Sequence, residues 1–114
     1  ERNPKANRAV QPITTTGLTP SFASAAGGGD SFQSGGGEHV EVVNGGGGSI
    51  NVTIAAQQAC NTFGVSNAAH DIVVAVGAGV RKKIKVPPYG YVDANGRVQL
   101  TYSGVTSVTV GVFV

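Results

Sequence analysis

The chain has no methionine, no tryptophan and a single cysteine, Cys60. One thiol cannot form a disulfide within the chain, and the paired cysteine spacings of zinc and redox motifs are excluded. A lone Cys with no basic partner nearby in sequence is read as a small buried hydrophobe. Aromatic residues make up only 6% and charged residues only 12% of the chain, the latter against roughly 25% in an average soluble domain. No window approaches the ~18 continuous apolar residues of a membrane-spanning helix, and no signal-peptide pattern is visible. Catalytic chemistry is equally thin. His39 and His70 both stand at the start of alternating runs, and no nucleophile and carboxylate are spaced to converge on either. The glycine runs precede neither a Gly-Lys-Ser/Thr nor the start of a helix, so they do not form a phosphate loop. The residues therefore offer no catalytic site, no metal site and no cofactor site, and the expectation is a protein that is not an enzyme and has no small-molecule substrate.

What is abundant is glycine, with 18 residues, and small or β-branched apolar side chains. The β-branched content points to strands. A chain of 114 residues is one domain with room for a tail, and buries roughly two-thirds of its unfolded surface. The formal charge of +2 has an uneven origin. "ERNPKANR" sets Arg2, Lys5 and Arg8 against Glu1, whereas from Ala9 onward Arg81, Lys82, Lys83, Lys85 and Arg97 balance Asp30, Glu38, Glu41, Asp71 and Asp93. The leading segment is thus basic and the remainder neutral. Such a segment either meets an acidic surface or nucleic acid, or is a solvated terminus.

Residues 1–37 are expected to form an extended Gly/Pro-rich arm and tether. They hold Pro4, Pro12 and Pro20, only "ITTTGL" passes for a strand, and Phe22 and Phe32 are isolated aromatics able to plug pockets on a partner or on the body. From Glu38 the alternation becomes regular. "EHVEVVN", "SINVTIA", "HDIVVAV", "VRKKIKV", "RVQLTYS" and "SVTVGVFV" read as strands of period two. "NGGGG" between the first two, and "GAG" between the third and fourth, carry hairpin signals. The fold class expected is all-β: a small antiparallel β-sandwich of about six to seven strands over residues 38–114, with an extended N-terminal arm. Its core would hold Val40, Val42, Ile50, Val52, Ile54, Ile72, Val74, Val98, Leu100, Val108, Val110 and Val112, with Val114 continuing the last alternation. "AQQACNTFGVSNAA" has no clear period and reads as a long loop, and the prolines of "VPPYGY" exclude a central strand. "DANGR" resembles a calcium loop only faintly and lacks the further carboxylates, so a tight Asn-Gly turn is expected there.

"VRKKIKV" is the most pointed surface feature. Period-two geometry places Arg81, Lys83 and Lys85 on one face, opposite Val80, Ile84 and Val86. Lys82 then falls on the apolar side, as in an edge strand whose inward lysine discourages sheet-to-sheet pairing. The basic row is either a docking stripe for an acidic partner or a solvated strand face. Nucleic acid is disfavoured, because no aromatics interleave with these residues.

Taken in order, "GGGDSF", "VVNGGGGSINVTI", "VAVGAGVRKKIKVPPYGY" and "DANGRVQLTYSGVTSVTVGVFV" resemble a family of small proteins encoded beside the major capsid genes of tailed bacteriophages. The resemblance covers about three-quarters of the chain and leaves out the arm before Ala26. It implies a capsid decoration (cement or head-associated) protein: a β-sandwich, without catalytic residues, on the exterior of an assembled virion. The partners implied are the major capsid protein and other copies of the chain on the shell, with no membrane. The expected capsid-binding residues are Phe22, Phe32, Arg81, Lys83 and Lys85. The rival reading is a virion- or tail-surface β-sandwich that binds a host glycan or protein, for which Tyr89, Tyr91 and Tyr102 are the available tyrosines.

Overall fold

The computed structural model describes residues 6–57, 71–87 and 90–114. These residues form ten strands: β1 (Ala6–Arg8), β2 (Val10–Gln11), β3 (Ala23–Ser24), β4 (Asp30–Gln33), β5 (His39–Asn44), β6 (Ile50–Ile54), β7 (Ile72–Val76), β8 (Arg81–Lys85), β9 (Arg97–Tyr102) and β10 (Val108–Phe113). No helix occurs among the described residues. One sheet has the order β1-β4-β9-β6-β7, and the other β2-β10-β5-β8, with β3 also pairing with β10. The described residues form an all-β sandwich.

All six alternating runs fold as strands, but their partners are not their neighbours in sequence. β5 pairs with β10 on one side and β8 on the other, while β6 pairs with β7 and β9. The "NGGGG" and "GAG" segments are therefore crossovers between the sheets, and the hairpins expected there are not formed. Asn44, only 1% exposed, pins both crossovers. Its side-chain amide donates to Gly48 O at 2.8 Å and Val76 O at 3.0 Å, and its backbone O accepts from Gly79 N–H. Glycine is needed at 46 for a steric reason: a Cβ there would lie 2.9 Å from Thr106 O. With β3-β10-β5-β8 facing β4-β9-β6-β7, and β6–β7 the one ladder between consecutive strands among the described residues, the winding is that of a jelly roll.

The inward faces supply the core. Val40, Val42, Ile50, Val52, Ile54, Val98, Leu100, Val108, Val110 and Val112 are buried as expected, joined by Phe32, Val76, Ile84 and Val86. Each such side chain contributes ~1.5–3 kcal/mol relative to exposure. Ile72 and Val74 are only half-buried, on the strand that comes last in its sheet among the described strands, and Val114 is exposed at 46%.

The N-terminal third departs most from expectation. β1 lies parallel to β4, and β2 parallel to β10, so one short stretch adds a strand to each sheet on either side of Ala9. β3 pairs antiparallel with the first half of β10, and β4 lies between β1 and β9. No boundary falls at residue 37, and residues 6–37 are part of the sandwich rather than a tether. The glycines at 35–37 form a loop closed on Glu38, whose carboxylate accepts Gly35 N–H at 2.5 Å, Gly36 N–H at 3.2 Å and Ser34 Oγ–H at 3.1 Å. Gly36 and Gly37 take φ of 92° and 80°, a region costly for other residues. "ITTTGL" forms no strand. It carries an exposed turn closed by Gly17 N–H to Thr14 O. "DANGR" is the expected tight turn: Gly96, at φ 78°, donates to Asp93 O, and Asp93 N–H donates to Arg97 O.

Candidate docking face

Among the described strands β8 ends its sheet, and its register with β5 sets Arg81 beside Val43, Lys83 beside Glu41 and Lys85 beside His39. Ile84, two residues from Lys82 on the inward side, is buried, whereas Arg81, Lys82, Lys83 and Lys85 are all exposed. The alternation read from the sequence thus produces the basic row at a sheet edge.

Arg81 differs from the lysines in being tied down. Its Nε donates to Glu41 Oε2, and its guanidinium lies 5.5 Å from the centre of the Phe22 ring, within cation–π range. Phe22 in turn packs on Phe113 at 5.8 Å, and His39 stacks on the same Phe113 ring at 5.6 Å. The loop 12–22 therefore lies over the outer face of this sheet. It closes a depression of about 200 Å³ lined by Ile13, Leu18, Pro20, His39, Glu41, Lys83 and Phe113. Phe22, partly exposed, is anchored to the body beside the basic row.

Phe32 must be removed from this face. It is fully buried in the core, paired across from Val98 on β9, and cannot reach a partner's pocket while the sandwich is folded. Its inward position brings Asp30 inward too, because the two are two residues apart on one strand. Asp30, with no exposed surface, accepts from Arg8 Nε at 2.8 Å and Tyr102 O–H at 2.5 Å. Arg8 also donates to Ser24 O at 2.6 Å. The one described cation of the basic leading segment is thus a partly exposed fastening on a buried carboxylate. Burial, and then the bond to Asp30, push the Tyr102 hydroxyl well above its ordinary value of 10.0.

The other carboxylates after Glu1 behave alike. Glu38 holds the 34–37 loop, Glu41 holds Arg81, and Asp71 accepts Ala56 N–H at 2.8 Å. Asp93 accepts the amides of Arg97 and Asn95 and the Gln99 side chain. The Arg97 amide first, then Gln99, hold the Asp93 carboxyl below its usual 3.8. Arg97 itself is bound to Asn7 and Ser31. Lys82, Lys83 and Lys85 have no ion-pair partner among the described residues. A near-neutral sequence thus presents unpaired positive charge along one edge.

Sequence reasoning placed Arg81, Lys83 and Lys85 together and missed Glu41, His39 and Phe113 beside them. The signal was present in part, since His39 and Glu41 share a face of "EHVEVVN", but nothing local pairs that run with β8. Cys60, His70 and Tyr89 lie outside the described residues. Among the described residues no three His, Cys, Asp or Glu side chains converge as a metal site would require. No protein-family model, curated protein or solved structure matches the chain.

Proposed function

We propose that the chain is a structural virion protein, a capsid decoration protein that binds the exterior of a tailed-phage head and stabilises the shell without acting as an enzyme. The observation that carries this reading is the division of charge: the carboxylates after Glu1 are held by internal hydrogen bonds, and the unpaired cations among the described residues line edge strand β8. A surface of this kind docks on an acidic partner, with exposed charges that govern association more than folding. The ordered sequence resemblance to phage decoration proteins names the partner class, the major capsid protein, with neighbouring copies of the chain on the shell. Repetition over a lattice lets modest contacts per copy add up. Arg81, Lys83 and Lys85 are the docking residues, with Lys82 added; Phe22 supports Arg81 from beneath.

The rival reading, glycan capture, needs exposed aromatic faces, and one of its three tyrosines is turned inward: Tyr102 is committed to Asp30. The test mixes the purified full chain with undecorated phage shells and measures its co-sedimentation, alongside a glycan array. Saturable addition at a fixed ratio to the major capsid protein supports the proposal. Glycan binding with no addition to shells overturns it in favour of the rival.

A further inference from the structure

The ladder between β5 and β8 fixes which backbone groups of β8 point away from the sheet. Asn44 N–H donates to Val80 O, and Val86 N–H donates to Glu38 O. In an antiparallel pair such bonded positions recur every second residue, so the register assigns Lys82 and Ile84 to the side facing β5. The N–H and C=O groups of Arg81, Lys83 and Lys85 point outward, and among the described residues nothing bonds to them. These are the residues whose side chains form the outer basic row. Backbone valence and positive charge therefore coincide, residue for residue, on one edge that no described strand covers.

We propose that the edge of β8 accepts an extended acidic segment of a partner protein. The segment pairs with the backbone of Arg81, Lys83 and Lys85 and sets alternate carboxylates against Lys83 and Lys85. Strand addition supplies main-chain bonds, and side chains at period two supply selectivity. Three observations choose this occupant. The described carboxylates are each held by hydrogen bonds to other groups, and none of them forms an ion pair with these lysines. A second copy meeting this edge with its own β8 would oppose like charges, which is destabilising. An apolar strand would cover Lys82 and Lys83 without a counter-charge, the condition under which an edge lysine blocks pairing. Nucleic acid offers no backbone ladder, and Phe22, the aromatic beside the row, has Arg81 over its ring. The inference rests on the docking role proposed for β8 and adds the chemistry of the partner segment.

The test uses the full chain, ¹⁵N-labelled, titrated with a synthetic peptide of alternating Glu and Thr, with a Lys–Thr peptide and oligothymidylate as comparators. Saturable binding of the Glu–Thr peptide is expected, weakening with added salt. Amide exchange should slow at Arg81, Lys83 and Lys85 and stay unchanged at Lys82 and Ile84, an alternation that charge attraction alone does not produce. Lys83→Gln should weaken the peptide by about threefold through the lost charge pair. Lys83→Pro, which also removes an outward N–H that an edge strand can spare, should weaken it by roughly tenfold. The wild-type exchange pattern decides the matter even if Lys83→Pro fails to fold. The inference is overturned by absence of Glu–Thr binding, by binding without the alternating protection, or by oligothymidylate binding as tightly. If shells bind while exchange along β8 is unchanged, the acidic-strand inference fails and the decoration reading stands. If the peptide protects β8 but shells do not bind, the reverse holds.

Discussion

Along the β4/β10 side of the sandwich the N-terminal segment adds a strand to each sheet, whereas along the β7/β8 side the sheets stop with no described strand beyond them. The first side is fastened by a charge drawn inward: Arg8 reaches Asp30 in the interior, and Tyr102 completes the carboxylate's bonds. The second side carries its charge outward, on three lysines with no described counter-ion. A sheet edge invites further strands, and a protein can cover it or guard it. This chain does both, on opposite sides, and the difference separates the residues that hold the fold from those free to meet a partner.

The largest effects are expected on the covered side. Deleting residues 1–11 removes β1, β2 and Arg8, leaving Asp30 buried without its cation. Leaving a buried carboxylate without its cation in this way costs up to about 3–5 kcal/mol, out of a total stability of roughly 5–15 kcal/mol for a domain. Denaturant unfolding followed by circular dichroism should show a marginal or unfolded chain, and Arg8→Ala should account for most of the loss. Unchanged stability would mean that β1 and β2 are ornaments on a sandwich complete without them. Phe32→Ala should cost ~3–5 kcal/mol as a core truncation. Phe22→Ala, at a partly exposed ring, should cost about 1 kcal/mol, so equal losses would erase the distinction drawn between the two aromatics.

A smaller effect is expected from pH. Tyr102 holds its proton more tightly in the folded chain, because burial and Asp30 raise it above 10.0. Above that pH the unfolded chain releases the proton while the folded chain keeps it, so unfolding is favoured. The stabilisation is whole below pH 10 and declines as pH rises beyond it. In Tyr102→Phe this decline should disappear from the alkaline stability profile, against a loss of roughly 1–3 kcal/mol at neutral pH for the missing bond. A profile with the same alkaline slope in both proteins would contradict the assignment.

The open edge should be nearly silent in stability. Lys83→Gln and Lys85→Gln should each stay within about 0.5 kcal/mol of wild type by thermal unfolding. Arg81→Gln should cost more, about 1 kcal/mol, because it deprives Glu41 of its partner. A stability loss at Lys83 as large as that at Arg8 would remove the contrast between the two sides.

The strands β5 to β10 were legible because each alternates for five or six residues, long enough for period two to appear. Their pairing was not. "NGGGG" says that the chain turns, but the same glycines serve a hairpin or a passage between sheets stacked about 10 Å apart. Which occurs depends on β10 and β8 already flanking β5, more than 35 residues away in sequence. β1, β2 and β3 span two or three residues each, too few for any period. The fastening of Arg8 to Asp30 leaves no local mark. Within the candidate face, Arg81, Lys83 and Lys85 were legible because one strand carries them, while Glu41 and Phe113 come from two others. Phe32 was misplaced because its short strand is flanked by glycine runs that resemble a tether.

The most direct test is sedimentation of undecorated phage shells with the wild-type chain and with the Lys82→Gln, Lys83→Gln, Lys85→Gln triple variant, across a range of salt concentrations. Wild type should add at a fixed ratio to the major capsid protein, its binding should fall as salt rises, and the folded triple variant should lose most of it even at low salt. A triple variant that decorates shells at the same ratio and with the same salt dependence would contradict the assignment of docking to the open edge.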